Sequence, residues 1–93
     1  MNEKIQVQIG KVIKISLKAN PSTGYDWIPK FNKEYLQLMK KEFQASEDQM
    51  GAGGIEKFEF KSLKSGKTTL KMRYKRSWEK KFLDEKTYKI QII

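Results

Sequence analysis

Apolar side chains recur at every second position through most of this 93-residue chain, and this alternation restricts the fold more than any other feature. A period of two is typical of β-strands that bury one face and expose the other. The apolar stripes are Ile5, Val7 and Ile9; Ile13, Ile15 and Leu17; Tyr25 and Trp27; Ile55, Phe58 and Phe60; Leu70, Met72 and Tyr74; and Tyr88, Ile90 and Ile92.

Short segments rich in turn residues separate the stripes. Gly10–Lys11 is short enough for a tight turn between the first two strands, and residues 64–67 supply a glycine turn. Pro29 ends the third strand, because proline cannot donate to a central ladder. Residues 31–43 fit helical turns or a short strand, and we interpret them as a mixed connection that ends in a strand.

The pattern predicts about seven or eight antiparallel strands without a long helix, which is typical of an all-β, Ig-like β-sandwich with Greek-key connections. On the strand that starts near Ile55, the charged residues Glu56, Lys57, Glu59 and Lys61 are expected to face water. The chain length is close to that of one domain, so we assign residues 1–93 to a single domain.

The chain contains no cysteine and no histidine, which excludes a thiolate nucleophile and the side chain best suited to proton transfer near neutral pH. The adjacent acids Glu47–Asp48 and Asp84–Glu85 point to opposite faces of an extended chain and do not converge. We therefore expect no enzyme activity, no cofactor and no metal.

No run approaches the ~18 apolar residues of a membrane span, and the amino-terminal residues lack the apolar region of a signal peptide. We expect no membrane partner and a cytoplasmic location, with a vesicular or secreted location by another route left open. Nothing in the sequence indicates an oligomer, so we expect a monomer.

The formal charge is +9, from 20 basic and 11 acidic residues. The lysines are spread along the chain and mostly alternate with apolar positions, which is typical of the solvated face of a sheet. We favour that interpretation and expect no nucleic-acid partner. The alternative is a basic β-sheet module that binds nucleic acid, with Trp78 and Tyr74 stacked on bases.

Three segments interrupt the alternation with residues that a simple turn does not need. The first contains Asn20, Pro21, Ser22, Thr23 and Gly24. Proline fixes a backbone angle, Asn and Ser bond to neighbouring amides, and glycine permits a positive φ. This combination predicts a rigid, self-bonded protrusion, while an ordinary turn remains the alternative.

The second segment is Gly51, Ala52, Gly53 and Gly54, within a predicted loop over residues 44–54. No Lys-Ser or Lys-Thr follows it, so it is not a phosphate-binding loop. Glycines allow a close approach of main chain to a partner, and a flexible loop is the alternative.

The third segment is Arg76, Ser77 and Trp78, at the start of a charged, irregular stretch over residues 76–86. Arginine and tryptophan are enriched in interface hot spots. Trp78 either forms part of an interface or folds back onto the core. In a Greek-key sandwich the second-to-third, fourth-to-fifth and sixth-to-seventh connections gather at one end, so the three segments are expected to form one surface.

The motifs NPSTG before an aromatic strand, GAGG and RSW, in this order and spacing, resemble the chagasin family of inhibitors of papain-like cysteine peptidases. The resemblance implies reversible, tight binding by occlusion of the active-site cleft, with papain-like peptidases as partners. It places residues 20–24 over the catalytic cysteine with Thr23 at the tip, and residues 51–54 along the non-primed side. It places Arg76, Ser77 and Trp78 against the other wall, with Trp78 on an aromatic surface of the enzyme and Arg76 near acidic groups.

The chain departs from the family pattern at two positions. Ser22 stands where the family usually has a second threonine, and little change follows from the loss of one methyl group. Ser77 stands where the family usually has proline, so the third segment loses a fixed φ before binding.

Overall fold

A computed structural model of the chain describes residues 2–45 and 53–93. The described strands are β1 (Asn2–Val7), β2 (Val12–Ala19), β3 (Tyr25–Lys30), β4 (Leu36–Ala45), β5 (Gly54–Ser62), β6 (Gly66–Arg76) and β7 (Asp84–Ile92), with a short 3₁₀ turn over Pro21–Thr23. Within these ranges, no helix has the length and apolar character needed to cross a membrane. The segment interpreted as a mixed connection is mostly strand, since β4 begins at Leu36.

The strands form two sheets, one ordered β1-β7-β6-β3 and the other β2-β5-β4. Consecutive strands pair in the same sheet at β4–β5 and β6–β7, whereas the connections after β1, β2, β3 and β5 pass from one sheet to the other. This arrangement confirms the Ig-like β-sandwich with seven described strands.

The first strand differs from the expected antiparallel pattern, because β1 runs parallel to β7 while the other strand pairs are antiparallel. The Gly10–Lys11 turn does not close a hairpin. Gly10 has a φ of 87°, its N–H donates to the Ser62 carbonyl at 2.9 Å, and the Ile9 N–H donates to the Ile93 carbonyl at 2.8 Å. The chain therefore changes sheets here, which leaves β1 free to pair along the last strand.

The core lies between the two sheets and is built from the alternate residues that the sequence pattern predicts. Phe58, Phe60, Leu70 and Met72 from the predicted stripes are fully buried, and so is Leu36 at the start of β4, whereas Ile9 of the first stripe is 52% exposed. The intervening lysines of β2 and β5, namely Lys14, Lys18, Lys57 and Lys61, are exposed, as expected for a solvated sheet face. Pro29 is tolerated because β3 is an edge strand.

The predicted orientation of two neighbouring β5 residues was wrong. Glu56 is 2% exposed, and Ile55, which was grouped with the buried aromatics, is 41% exposed. Residues three apart on a strand point to opposite faces, so Ile55 cannot share the face of Phe58. The two phenylalanines determine the orientation of β5, and they bring Glu56 to the inner face with them.

The element boundaries also differ from those expected around two loops. Gln44 and Ala45 belong to β4, and Gly54 is the first residue of β5. Of the predicted glycine segment, Gly51 and Ala52 lie outside the described residues. β7 begins at Asp84, because residues 84–87 continue the ladder with β6.

We predict that Leu36→Ala lowers the free energy of unfolding by about 2–5 kcal/mol, since it removes methyl groups from a fully buried position. Urea denaturation followed by circular dichroism measures this change. Leu83→Ala is the matched control, because Leu83 is 68% exposed and its truncation should change the free energy by no more than about 0.5 kcal/mol. Equal losses in the two variants would contradict the assigned core.

Candidate functional site

The connections that follow β2 and β6, together with the start of β5, lie at one end of the sandwich. Ala19 at the end of β2 pairs with Gly54, and Tyr25 at the start of β3 pairs with Arg76 at the end of β6. A hydrogen bond of 3.3 Å from Arg76 Nε to the Thr23 carbonyl joins the first and third predicted segments directly. The structure thus brings together the described parts of all three segments.

The first segment is self-bonded, as the sequence predicts. The Asn20 carbonyl accepts from the Thr23 N–H at 3.2 Å and from the Thr23 hydroxyl at 2.7 Å. The Ser22 hydroxyl donates to the Asn20 side-chain oxygen at 2.6 Å, and the Gly24 N–H donates to the Pro21 carbonyl at 3.0 Å. Gly24 has a φ of 83° and closes the turn. Residues 21–24 are exposed, so the segment forms a rigid tip.

Two tyrosines hold this tip on the sheet, a role that the sequence pattern does not predict. The Asn20 N–H donates to the Tyr74 hydroxyl at 3.0 Å. The Tyr74 ring lies 5.4 Å from the Tyr25 ring and 4.9 Å from the Trp27 ring, centroid to centroid. The Trp27 indole N–H donates to the Lys18 carbonyl at 2.8 Å. We call Tyr25, Trp27 and Tyr74 the aromatic column. Its only sign in the sequence is that these aromatic residues lie on the apolar stripes of two strands, β3 and β6.

Trp78 does not fold back onto the core. Its side chain is on the surface, and the residue is 73% exposed. The end of its indole ring lies beside the first segment, since a Cβ placed on Gly24 would be 3.1 Å from Trp78 Cη2. Gly24 therefore allows Trp78 to lie against the tip.

Arg76 connects the two exposed segments by several contacts. Its guanidinium lies 4.5 Å from the Tyr25 ring centroid, and Nη1 lies 3.4 Å from Glu79 Oε1. The Glu79 N–H donates to the Arg76 carbonyl at 3.1 Å, which closes a turn with Ser77 at its second position. Proline is favoured at that position of such turns, so Ser77 loses conformational restriction there.

The described glycines of the second segment have a structural reason of their own. A Cβ on Gly53 would overlap the Ala19 carbonyl oxygen, and a Cβ on Gly54 would overlap the Gln44 carbonyl oxygen. Any side chain at either position would collide with backbone atoms of a neighbouring strand. The close approach of neighbouring strands within the protein is therefore enough to explain why glycine is needed at both positions.

A group of charged side chains lies on the inner side of this end, where the sequence pattern predicts none. Lys41 Nζ is 2.6 Å from Asp26 Oδ2 and 3.6 Å from Glu56 Oε1. Glu56 Oε1 is buried and has no hydrogen-bond partner. Within residues 2–45 and 53–93, no three histidine, cysteine or acidic side chains are placed to hold a metal ion.

Burial raises the pKa of Glu56 to about 7 from its ordinary 4.5, and the neighbouring Asp26 carboxylate adds to this increase. The pKa of Asp26 changes in the other direction. Burial acts to raise it, but the hydrogen bonds from Glu56 and Lys41 and the charge of Lys41 lower it overall. The two carboxyl groups therefore take up protons in well-separated pH ranges.

Comparison with known proteins gives consistent matches. The family model described as chagasin family peptidase inhibitor I42 matches residues 6–92. Amoebiasin-2 of Entamoeba histolytica is 35% identical over 79 residues, which cover 82% of this chain and 64% of amoebiasin-2, less than two thirds of its length. Chagasin of Trypanosoma cruzi is 28% identical over 80 residues, 80% of this chain and 73% of that protein.

A solved structure supports the same relationship. The crystal structure of the cysteine protease inhibitor EhICP2 from Entamoeba histolytica has a TM-score of 0.85 to this chain at 33% identity. The superposition covers 97% of this chain and 85% of that one.

We predict that Gly24→Ala and Gly10→Ala each lower the free energy of unfolding by about 1 kcal/mol, because both glycines have a left-handed φ. Only Gly24→Ala should also shift the indole N–H resonance of Trp78, since nothing lies within 4 Å of a Cβ at Gly10. Urea denaturation and a proton–nitrogen NMR spectrum provide the two measurements. An unchanged Trp78 resonance in Gly24→Ala would contradict the packing described above.

We predict that Glu56→Gln removes a pH dependence of stability. A carboxyl group whose pKa is raised by folding favours the folded state fully below pH 4.5, and this contribution is lost as the pH rises to about 7. The variant should therefore be more stable than the wild type at about pH 8 and similar to it at about pH 4.5. The measurement is urea denaturation at both pH values.

Glu59→Gln is the control for this pH experiment. It makes the same chemical change on the same strand, but on the outer face, where Glu59 is opposite Lys14. Its pH profile of stability should follow that of the wild type. If Glu56→Gln also followed the wild type, Glu56 would not be the titrating group.

Proposed function

This chain belongs to the chagasin family of peptidase inhibitors, and from this membership we propose that it is a reversible, tight-binding inhibitor of papain-like cysteine peptidases. We infer that it occludes the active-site cleft with three loops and has no catalytic activity or cofactor of its own. Residues 1–93 would act as one domain and as a monomer.

The observation that carries this proposal is the rigid tip of residues 21–24 beside the exposed Trp78. Internal hydrogen bonds hold the tip in its conformation before any partner is present. A preformed loop avoids most of the entropy loss that a flexible peptide incurs on binding. Exposed tryptophan is costly in water and common in interface hot spots. The combination supports a convex surface that enters a cleft.

The geometry of the tip also supports inhibition without cleavage. The Asn20, Pro21 and Thr23 carbonyls all accept hydrogen bonds from groups of the chain itself, and the backbone forms a 3₁₀ turn rather than an extended strand. A nucleophile needs an aligned approach to a free carbonyl carbon. A tip with this conformation would cover the catalytic thiolate without presenting a peptide bond to it.

The roles proposed for individual residues are those that the family resemblance implies for their positions in the sequence. Thr23 would lie deepest in the cleft, flanked by Ser22 and Gly24. Trp78 would pack on an aromatic surface of one wall, with Arg76 near acidic groups of the enzyme. Residues 51–54 would lie along the non-primed side through main-chain contacts, in addition to the internal packing that Gly53 and Gly54 require.

The nucleic-acid alternative is weakened by the position of Tyr74. Base stacking needs an accessible aromatic face, whereas the Tyr74 ring packs against those of Tyr25 and Trp27 and its hydroxyl accepts from the Asn20 N–H. Of the two residues that the alternative required, Trp78 alone is exposed. Binding that falls steeply as salt increases would be the sign of nucleic-acid recognition.

The direct test is titration of papain with the purified protein on a small fluorogenic substrate. We expect residual activity to fall stoichiometrically and to return on dilution, with the inhibitor recovered uncleaved. We also expect Thr23→Arg and Trp78→Ala to weaken inhibition, Trp78→Ala by about thirtyfold or more, since interface tryptophans often contribute about 2 kcal/mol or more.

Matched controls separate the site from general effects on the fold. Thr69→Arg makes the same change as Thr23→Arg at an exposed position on β6, away from the loop end. Ile9→Ala removes another exposed apolar side chain, 52% exposed, at the β1–β2 connection. Both controls should inhibit like the wild type. Unchanged inhibition in Thr23→Arg and Trp78→Ala would contradict the assigned surface, and failure of the wild type on papain and related peptidases would refute the function.

A further inference from the structure

A groove of about 440 Å³ opens beside the tip, between the first segment and β4. We name it the acidic groove and define it by its lining residues: Pro21, Gly24, Tyr25, Asp26, Lys41, Phe43 and Glu56. It shares Pro21 and Gly24 with the tip, so a protein bound at the tip would also cover the groove. None of the three predicted binding segments contains its remaining residues.

The polar part of the groove contains one more acid than base. Lys41 Nζ donates to Asp26 Oδ2 at 2.6 Å but lies 3.6 Å from Glu56 Oε1. The Glu56 side chain is 3% exposed, and its Oε1 atom accepts no hydrogen bond. When Glu56 is ionised, this buried oxygen is without a donor, which is strongly unfavourable, so Glu56 is the group in this groove that would gain most from a further cationic donor.

Two of the neighbouring positive charges are already paired with acids. Arg76, which stacks on the Tyr25 ring, forms an ion pair with Glu79, and Lys41 is hydrogen-bonded to Asp26. Among the described residues that line the groove, acidic side chains therefore outnumber basic ones.

The walls of the groove are apolar and partly aromatic. Pro21, Tyr25 and Phe43 line it, and Phe43 is 40% exposed. An arginine side chain matches such surroundings, because its alkyl stem packs on apolar surface, its flat guanidinium stacks on aromatic rings, and its fork of donors reaches two carboxylates together.

We propose that the acidic groove receives an arginine side chain of the target peptidase, with the guanidinium at Glu56 and Asp26 and the stem against Tyr25 and Phe43. The proposal rests on the proposed inhibitory function and adds a fourth point of contact outside the three loops. A polar contact of this kind selects among partners more than it adds to affinity for all of them. Peptidases with an arginine at the facing position of the cleft rim would be preferred.

The test uses the free protein and a small probe, so it does not depend on any peptidase. Nα-acetyl-arginine amide is added to nitrogen-labelled protein at low salt and about pH 8, which is above the pKa of about 7 that burial gives Glu56. We expect saturable shifts of the backbone amide resonances of Gly24, Tyr25 and Phe43, with a dissociation constant in the millimolar range. The corresponding citrulline amide, which is neutral and of similar shape, should cause no such shifts.

Two variants locate the binding site. Glu56→Gln should weaken binding of the arginine probe by about tenfold or more, since it removes a charge-assisted hydrogen bond. Glu59→Gln removes the same charge from the outer face of β5 and should bind the probe like the wild type. Equal shifts with the citrulline amide, no shifts with the arginine amide, or unchanged binding by Glu56→Gln would each overturn the proposal.

The probe experiment and the papain titration fail independently. If the protein inhibits papain but does not bind the arginine amide, the groove proposal is refuted and the proposed function stands. If the protein binds the arginine amide but inhibits no papain-like peptidase, the groove is an arginine site whose partner is not a peptidase. This result would overturn the proposal.

Discussion

Packing of the two sheets against each other is the interaction on which this structure depends. Without cysteine there is no disulfide, so the sandwich is stabilised by apolar side chains from both inner faces. Phe58 and Phe60 from one sheet face Leu70 and Met72 from the other, all fully buried. Burial of such side chains contributes about 1.5–3 kcal/mol each, which must offset the chain entropy lost on folding.

The same packing positions the exposed tip through a short series of contacts. Trp27 is buried in the core and lies against Tyr74, whose hydroxyl accepts the Asn20 N–H. Arg76 stacks on Tyr25 and donates to the Thr23 carbonyl. The tip is thus rigid for two reasons: its internal hydrogen bonds fix its shape, and the aromatic column fixes its direction relative to the sheets. Rigid elements under a binding loop limit the entropy lost on association.

Glu56 is the exception to this apolar interior. The burial that stabilises Phe58 on the same face also desolvates the Glu56 carboxyl group, because alternate residues of one strand share a face. A carboxyl group in this position destabilises the folded state at neutral pH. Its location beside the tip, and not in the centre of the core, is consistent with a role in recognition, since stability is often lost at binding sites.

The sequence alone determined the strands other than β4, most of the inward-facing residues and the segments that leave the sheets, because each depends on local periodicity or on the backbone preferences of proline and glycine. It also carried the family resemblance. Tertiary structure alone decided the parallel pairing of β1 with β7, the inward face of Glu56, the support of the tip by Tyr74 and Tyr25, and the internal reason for Gly53 and Gly54. Each of these joins residues far apart in the chain, and local preferences contain no information on which distant backbone or side chain will be the neighbour.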